Sequence, residues 1–131
     1  MRTQQIARSL IIVAALATLA ACSSYAARPA AVAVASGGVL TGANGMTLYT
    51  FDNDVANSGK SVCNGPCAAN WPPLFAMDGD AASGDYAIVV RDDGKKQWAF
   101  KGKPLYFWIK DQKPGDATGD GVNKVWRTAK P

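Results

Sequence analysis

The sequence contains no histidine, and all ten of its acidic side chains are aspartate. Without histidine, the chain cannot form a Ser-His-Asp triad, hold a haem through histidine or build an imidazole zinc site. Two carboxylates can hydrolyse a glycosidic bond, but no pattern of residues marks a cleft for that reaction. We therefore expect no enzyme, no catalytic residue, no metal site and no cofactor.

Cysteine is also scarce, because only Cys22, Cys63 and Cys67 occur. The first of them ends an N-terminal segment in which Arg2 and Arg8 precede the apolar run 10–21. A basic start followed by a short apolar core is typical of a secretory signal peptide. The run is shorter than the roughly 20 apolar residues that a spanning helix needs. Residues 1–21 are thus predicted to be a signal peptide.

The end of this signal, Leu19-Ala20-Ala21-Cys22, resembles a bacterial lipobox. The resemblance implies that Cys22 is acylated and becomes the first residue of the mature protein. Stable anchoring takes more than one acyl chain. Ordinary cleavage after Ala26, with Cys22 discarded, is the alternative. The favoured interpretation is an exported lipoprotein, anchored by its lipid in a membrane of the cell envelope and facing the periplasm or the cell exterior.

The charge balance argues against a nucleic acid partner. The whole chain has a formal net charge of +4, and removal of the signal takes away two of its 14 basic side chains, which leaves 12 against 10 aspartates. No basic cluster interleaved with aromatic residues, the usual mark of a nucleic-acid surface, is present. Besides the membrane, an envelope protein or a small ligand is the expected partner.

Composition divides the mature chain into a flexible tether, residues 22–36, and a folded domain, residues 37–131. The extended tether could reach about 50 Å, and "AVAVA" at 31–35 fits an edge strand. In the domain, Asn44-Gly45 is a hairpin signal. Strands are predicted for "YAIVV", "KKQWAF", "KPLYFWI" and "NKVWRTA", with a helical turn near "CAANW". The domain is therefore predicted to be mainly β.

A repeat is visible inside the domain, because "GMTLYTFDND" (45–54) and "GKPLYFWIKD" (102–111) agree at several positions. Each copy is followed by a turn-rich loop and a returning tryptophan, Trp71 or Trp126. The two repeats span about 37–74 and 86–128. One repeat alone would expose its apolar face, so both are expected to share one core in a small sandwich or partly open barrel.

Both copies fit the pattern Tyr-x-[Phe/Trp/Tyr]-x-x-Asp, through Tyr49, Phe51 and Asp54 and then Tyr106, Trp108 and Asp111. This pattern resembles a family of bacterial secreted repeats and predicted lipoproteins. "SVCNGPCAANWPPL" is also similar to the family's sequences, and the resemblance covers about 37–128. It implies secretion and a repeated domain, and it brings no assigned activity.

The motif has two interpretations. Residues two apart in a strand face the same side, so the aromatic residues would fill the core and each Asp would fasten the following loop through backbone N–H groups. Alternatively, each aromatic group and carboxylate would form a subsite for a ligand or cation. The loops also supply oxygen atoms from Asp52, Asn57, Asp116 and Asp120, but their spacing is not that of an EF-hand. Structural roles are favoured throughout.

"CNGPC" at 63–67 is the one candidate for redox or metal chemistry. With Cys22 lipidated, Cys63 and Cys67 are the remaining thiols of an exported protein and should form a disulfide. Lys60 is the only cation nearby in the sequence, so neither thiolate has evident help in ionising. The sequence therefore predicts a non-catalytic binding or structural module. The alternative is a periplasmic redox or metal-handling accessory that uses the two cysteines.

Overall fold

The computed structural model describes residues 31–131 and, separately, Ala14. The predicted signal peptide (1–21, Ala14 excepted) and the predicted lipidation residue Cys22 lie outside the described residues. Within the described part, no helix is long and apolar enough to cross a membrane.

Short strands make up most of the regular structure between residues 31 and 131. The elements in chain order are β1 (Val34–Ser36), β2 (Val39–Thr41), β3 (Tyr49–Phe51), α1 (Pro66–Asn70), β4 (Tyr86–Val90), β5 (Lys96–Phe100), β6 (Lys103–Pro104), a 3₁₀ turn (Val122–Lys124) and β7 (Trp126–Thr128). The prediction of a mainly β domain is confirmed.

The strands form three small antiparallel sheets within the described residues. Strand β1 pairs with β2, β3 pairs with β7, and β4, β5 and β6 follow one another as a three-stranded meander. The strand predicted from "YAIVV" coincides with β4, because this short apolar run is rich in β-branched side chains, which favour a strand. Strand β1 extends the paired structure to Val34, three residues before the predicted start of the domain at Gly37.

The two repeats are interleaved. Tyr49 of the first motif lies opposite Thr128, two residues after Trp126 of the second repeat. Tyr106 of the second motif pairs with Pro73, two residues after Trp71 of the first. Each motif strand therefore pairs with the returning tryptophan segment of the other repeat, so neither repeat can complete its pairing alone.

One long strand over "KPLYFWI" was expected, and this expectation is wrong. Strand β6 ends at Pro104, and the chain continues through single bridges from Tyr106 to Tyr49 and to Pro73. The reason is that Tyr106 meets two neighbours from different parts of the chain, so no continuous ladder forms on either side. The short helix expected near "CAANW" is α1.

The core consists of two buried clusters. The first is aromatic and lies where the repeats interleave; it contains Tyr49, Phe51, Cys63, Trp71, Tyr106 and Trp126. The second is aliphatic; it contains Leu40, Leu48, Leu105 and Ala129. Leu48 and Leu105 directly precede the two motif tyrosines. Because successive strand residues point to opposite faces, each motif tyrosine enters the aromatic cluster and the leucine before it enters the aliphatic one.

Candidate functional site

The centre of the first cluster is a continuous stack of four aromatic rings. Phe51 stacks on Trp126 at 4.3 Å between ring centroids, Trp126 on Trp71 at 3.7 Å, and Trp71 on Trp108 at 4.0 Å. The rings of Trp71 and Trp126 are nearly parallel, with 5° between their planes. The repeat thus brings both returning tryptophans together in the middle and places one motif aromatic residue at each end.

The motif tyrosines meet this stack with their edges. Tyr49 lies 5.3 Å from Trp71 at 77° between planes, and Tyr106 lies 5.2 Å from Trp126 at 88°. Edge-to-face contact is a favoured arrangement of aromatic pairs. Both tyrosines are fully buried, so their phenol oxygens need hydrogen-bond partners inside the protein.

Each phenol finds its partner in the aspartate of the other repeat. The Tyr49 hydroxyl donates to Asp111 Oδ2 at 2.5 Å, and the Tyr106 hydroxyl donates to Asp54 Oδ2 at 2.6 Å. Asp54 is 1% exposed and Asp111 is 8% exposed. A carboxylate that accepts an O–H donor in such surroundings forms one of the stronger hydrogen bonds in proteins.

The second oxygen of each carboxylate holds the loop that follows it. Asp54 Oδ1 accepts the Val62 N–H at 2.7 Å. Asp111 Oδ1 accepts the Thr118 N–H at 3.0 Å and the Thr118 hydroxyl at 2.6 Å. Each aspartate is therefore engaged on one side by a tyrosine of the other repeat and on the other side by its own loop, which corresponds to the structural interpretation of the motif.

Burial keeps the two motif phenols protonated. It is the largest cause of the raised pKa values of Tyr49 and Tyr106, and hydrogen bonding to Asp111 and Asp54, respectively, raises them further. Burial also raises the pKa of Asp54, against the lowering effect of its bonds from Tyr106 and Val62. At neutral pH both phenols are therefore protonated donors.

A buried arginine, which the sequence pattern did not predict, supports the Asp54 side of the cluster. Arg91 is 4% exposed, and its Nη1 donates to Ser61 Oγ at 2.9 Å and to Gln97 Oε1 at 2.7 Å. Ser61 Oγ lies 2.6 Å from the Tyr106 hydroxyl, which in turn donates to Asp54. The guanidinium and the carboxylate are thus connected through two hydroxyls.

Arg91 is the first residue of "RDDGKK" (91–96). A run with charges of both signs is typical of an exposed turn, so the sequence does not predict the burial of Arg91. Its burial follows from its place directly after β4, whose alternation turns the side chains of Val89 and Arg91 inward. In residues 31–131, Arg91 Nε is the one buried side-chain nitrogen or oxygen atom that has no hydrogen-bond partner.

The predicted disulfide is present between Cys63 and Cys67. Cys63 is fully buried in the aromatic cluster, whereas Cys67 is half-buried and packs against it. Lys60 is the only cation close to the cysteines in the sequence, but the fold brings a second one. Arg91 Nη2 donates to the Cys63 carbonyl oxygen. The bond is therefore shielded on the Cys63 side.

The disulfide belongs to the first repeat alone. Val62 and Thr118 donate equivalent N–H bonds to the two motif aspartates, so the next residues, Cys63 and Gly119, occupy equivalent positions. A Cβ on Gly119 would lie 2.7 Å from Cη2 of Trp71 and 2.9 Å from Cε1 of Tyr49. The second repeat therefore uses close packing of glycine where the first uses a covalent bond.

The other loop oxygens serve the backbone or pair with a cation. Asp116 accepts the N–H groups of Gln112 and Lys113. Asp120 accepts the Thr128 N–H, and Asp52 pairs with Arg127 at 2.9 Å. Asn57 has a left-handed backbone, with φ of 62°, next to Gly102. Across residues 31–131, no three potential metal-ligating His, Cys, Asp or Glu side chains converge.

Comparison with known proteins identifies the repeat. The model of the Lipoprotein_15 family, described as a secreted repeat of unknown function, matches residues 30–75 and again residues 87–130. No curated protein and no solved structure matches the chain. The two matches confirm both the division into two repeats and the resemblance to secreted repeats. The chain belongs to this family of secreted repeats.

Proposed function

We propose that this protein is a lipid-anchored component of the cell envelope whose β domain is a non-catalytic binding or structural module. The non-catalytic role is supported by the hydrogen bonds of the two motif carboxylates. Both oxygens of Asp54 and of Asp111 accept hydrogen bonds from buried or loop donors. A general acid or base must reach a substrate proton, and these carboxylates are occupied in holding the two repeats together.

The anchoring part is supported by the lipobox-like sequence and by the position of the first strand. Within residues 31–131 the first paired residue is Val34, and about a dozen residues separate it from Cys22. Extended, they reach at most about 40 Å, which keeps the domain close to the membrane surface. Membership in a family of secreted repeats supports export.

Metabolic labelling with an alkyne fatty acid tests the anchor. The wild-type chain should carry the label and partition into the membrane fraction, and Cys22→Ser should lose both properties. Ser24→Ala, two residues away, is the matched control and should behave as wild type. An unlabelled wild-type chain, or a Cys22→Ser chain that still partitions with the membrane, would refute lipid anchoring at Cys22.

Complementation tests the non-catalytic role. A strain lacking the gene is scored for envelope integrity by its sensitivity to detergent, and the variants Asp54→Asn and Asp111→Asn are expressed in it. Asparagine retains one acceptor oxygen, so a folded variant should restore the phenotype in proportion to its amount. Folded, abundant and inactive variants of both would instead indicate carboxylate chemistry.

The alternative, a redox or metal-handling accessory, has one observation in its favour. A guanidinium bound to the Cys63 carbonyl places a cation near a thiolate that would form on reduction. Against it, Cys63 is buried, so an attacking thiol would reach only Cys67. The reduction potential decides between the two functions.

A further inference from the structure

A cavity of about 540 Å³ lies between the start of the described chain and the β4–β5 pair. It is lined by the segments 31–33 and 79–83 and by the rings of Tyr86 and Trp98. It is separate from the motif cluster, since it contains none of the motif residues. Its volume falls within the range of small-molecule sites in proteins.

Small side chains leave this space open beside two aromatic rings. The segments 31–33 and 79–83 supply mostly alanine and glycine, which cannot fill it. Tyr86 and Trp98 form a corner, with 6.4 Å between ring centroids and 88° between ring planes. Trp98 is only 7% exposed and Tyr86 is half-buried, so both rings are fixed before any ligand arrives.

Among the residues that line the cavity, the one charged side chain is acidic. Asp80 lines the cavity, and no lysine or arginine does. Asp85 directly precedes Tyr86, and its charge acts on the Tyr86 phenol, whose pKa is raised mainly by burial and further by this carboxylate. The connecting segment 78–85 contains three aspartates and no basic residue. An anion would therefore be repelled, whereas a cation would be attracted.

We infer that this cavity binds a small organic ammonium ion, one whose nitrogen carries several alkyl groups. Aromatic faces attract such cations, whose alkyl shell also suits an apolar lining. Asp80 supplies the balancing charge at the cavity wall. The inference rests on the proposed role as a binding module and names the ligand class of one site. Either a free solute or the headgroup of a lipid carries this chemistry.

The probe is choline, titrated into the full mature chain with Cys22→Ser and followed by tryptophan fluorescence and by the choline methyl resonance. Dimethylbutanol, the uncharged isostere of choline, has the same shape and lacks only the charge. Choline should bind about tenfold tighter than this isostere. Equal affinity of the two, or no binding of choline at millimolar concentration by the folded chain, overturns the inference.

Two pairs of variants locate the binding. Asp80→Asn should weaken choline binding about fivefold and leave the isostere unaffected, since an asparagine oxygen can still accept the Met77 N–H that Asp80 Oδ2 accepts at 2.8 Å. Asp78→Asn, the same change in a fully exposed residue that does not line the cavity, should bind choline as before. Tyr86→Phe should retain binding and Tyr86→Leu should lose it. Equal effects of the two aspartate changes would show non-specific charge and refute the site.

A short-chain phosphatidylcholine below its micelle concentration separates the two sources. Binding at least as tight as that of choline indicates a lipid headgroup, and much weaker binding indicates a free solute; either result supports the site. The labelling and complementation experiments above do not involve this cavity. If choline fails to bind while those experiments succeed, only the inference about the ammonium site is wrong.

Discussion

Tyr49 and Tyr106 bond to each other through the backbone, the N–H of each donating to the carbonyl oxygen of the other at 2.8 and 3.0 Å. They hold equivalent positions in the two repeats, so an approximate two-fold axis passes between them. Their phenols then reach outward to Asp111 and Asp54, each in the opposite repeat. The two copies of the motif therefore bind each other through these hydrogen bonds, so the domain requires both copies.

Removal of either phenol oxygen should destabilise the domain. Tyr49→Phe leaves Asp111 Oδ2 without its donor, and Tyr106→Phe does the same to Asp54 Oδ2. Each change should lower the free energy of unfolding by about 1–3 kcal/mol, measured by urea denaturation. Tyr86→Phe, in a half-buried tyrosine outside this pairing, is the matched control and should change it by less than about 0.5 kcal/mol. Full stability in both motif variants would mean that the Tyr–Asp pairs contribute nothing.

The two motif tyrosines should ionise only when the domain unfolds. Burial raises the pKa of both phenols above the ordinary value of 10.0. Above that pH the folded phenols keep protons that the unfolded phenols lose, so stability falls as the pH rises through 10.0.

An alkaline titration checks this expectation. The phenolate absorbance of Tyr49 and Tyr106 should rise together with the fluorescence change of unfolding. The step that accompanies unfolding should be halved in Tyr49→Phe, halved equally in Tyr106→Phe, and absent in the double variant. A phenolate signal from either residue in the folded domain near pH 10 would contradict the buried pairing.

Gly119→Ala should disturb the aromatic stack. The new methyl group would lie 2.7 Å from Cη2 of Trp71 and 2.9 Å from its Cζ3. Overpacking of this kind costs about 1–3 kcal/mol in a buried site. In a Trp71→Phe background the same change should cost less, because those two ring atoms are gone and the contact with Cε1 of Tyr49 remains. If the double-mutant cycle shows no coupling between Gly119→Ala and Trp71→Phe, the strain does not arise from contact with Trp71.

The Cys63–Cys67 disulfide should resist reduction by the glutathione pool. Its Cys63 side is buried. The hydrogen bond from Arg91 to the Cys63 carbonyl oxygen and the packing of Cys63 in the aromatic cluster hold the loop in place. We expect a potential below about −300 mV, the range of structural disulfides. Equilibration with a glutathione or thioredoxin buffer measures it. A value near −200 mV, about that of the glutathione pool, would favour the redox function.

Removing the disulfide should nevertheless cost little. Replacing both cysteines with alanine should lower the free energy of unfolding by about 2 kcal/mol, since the loop is short. The comparison is made under oxidising conditions against the wild type, with urea denaturation as the measurement. A loss of 5 kcal/mol or more would mean that the Cys63 side chain matters more for packing than for the covalent link.

Arg91→Met should destabilise the domain more than any exposed cation does. The methionine retains the apolar stem, but Gln97 Oε1 and the Cys63 carbonyl lose their charged donor. Each buried group left unpaired costs about 1–3 kcal/mol. Lys95→Met, in the exposed turn that follows, is the matched control and should be close to neutral. Similar effects of the two changes on the urea midpoint would refute the role of the buried guanidinium.

Much of this protein could be predicted from residues that are close together in the chain. A short apolar run rich in β-branched residues specifies β4, comparison of the two motif copies reveals the second motif tyrosine, and Cys63 and Cys67 are the two cysteines of the folded domain. Each of these features is written in a run of a few consecutive residues, so the local pattern contains enough information to specify it. The family model confirms the repeat on the same grounds.

Only the tertiary structure decided which partners the motif residues have. Tyr49 and Asp111 are 62 residues apart, and Tyr106 and Asp54 are 52 apart, so no local pattern relates them. The same holds for Arg91, whose charge predicts exposure until β4 directs it inward. A phenol or guanidinium needs a hydrogen-bond partner once it is buried. Which group becomes that partner depends on how the two repeats pack, because their interleaving brings residues from distant parts of the chain within hydrogen-bond distance.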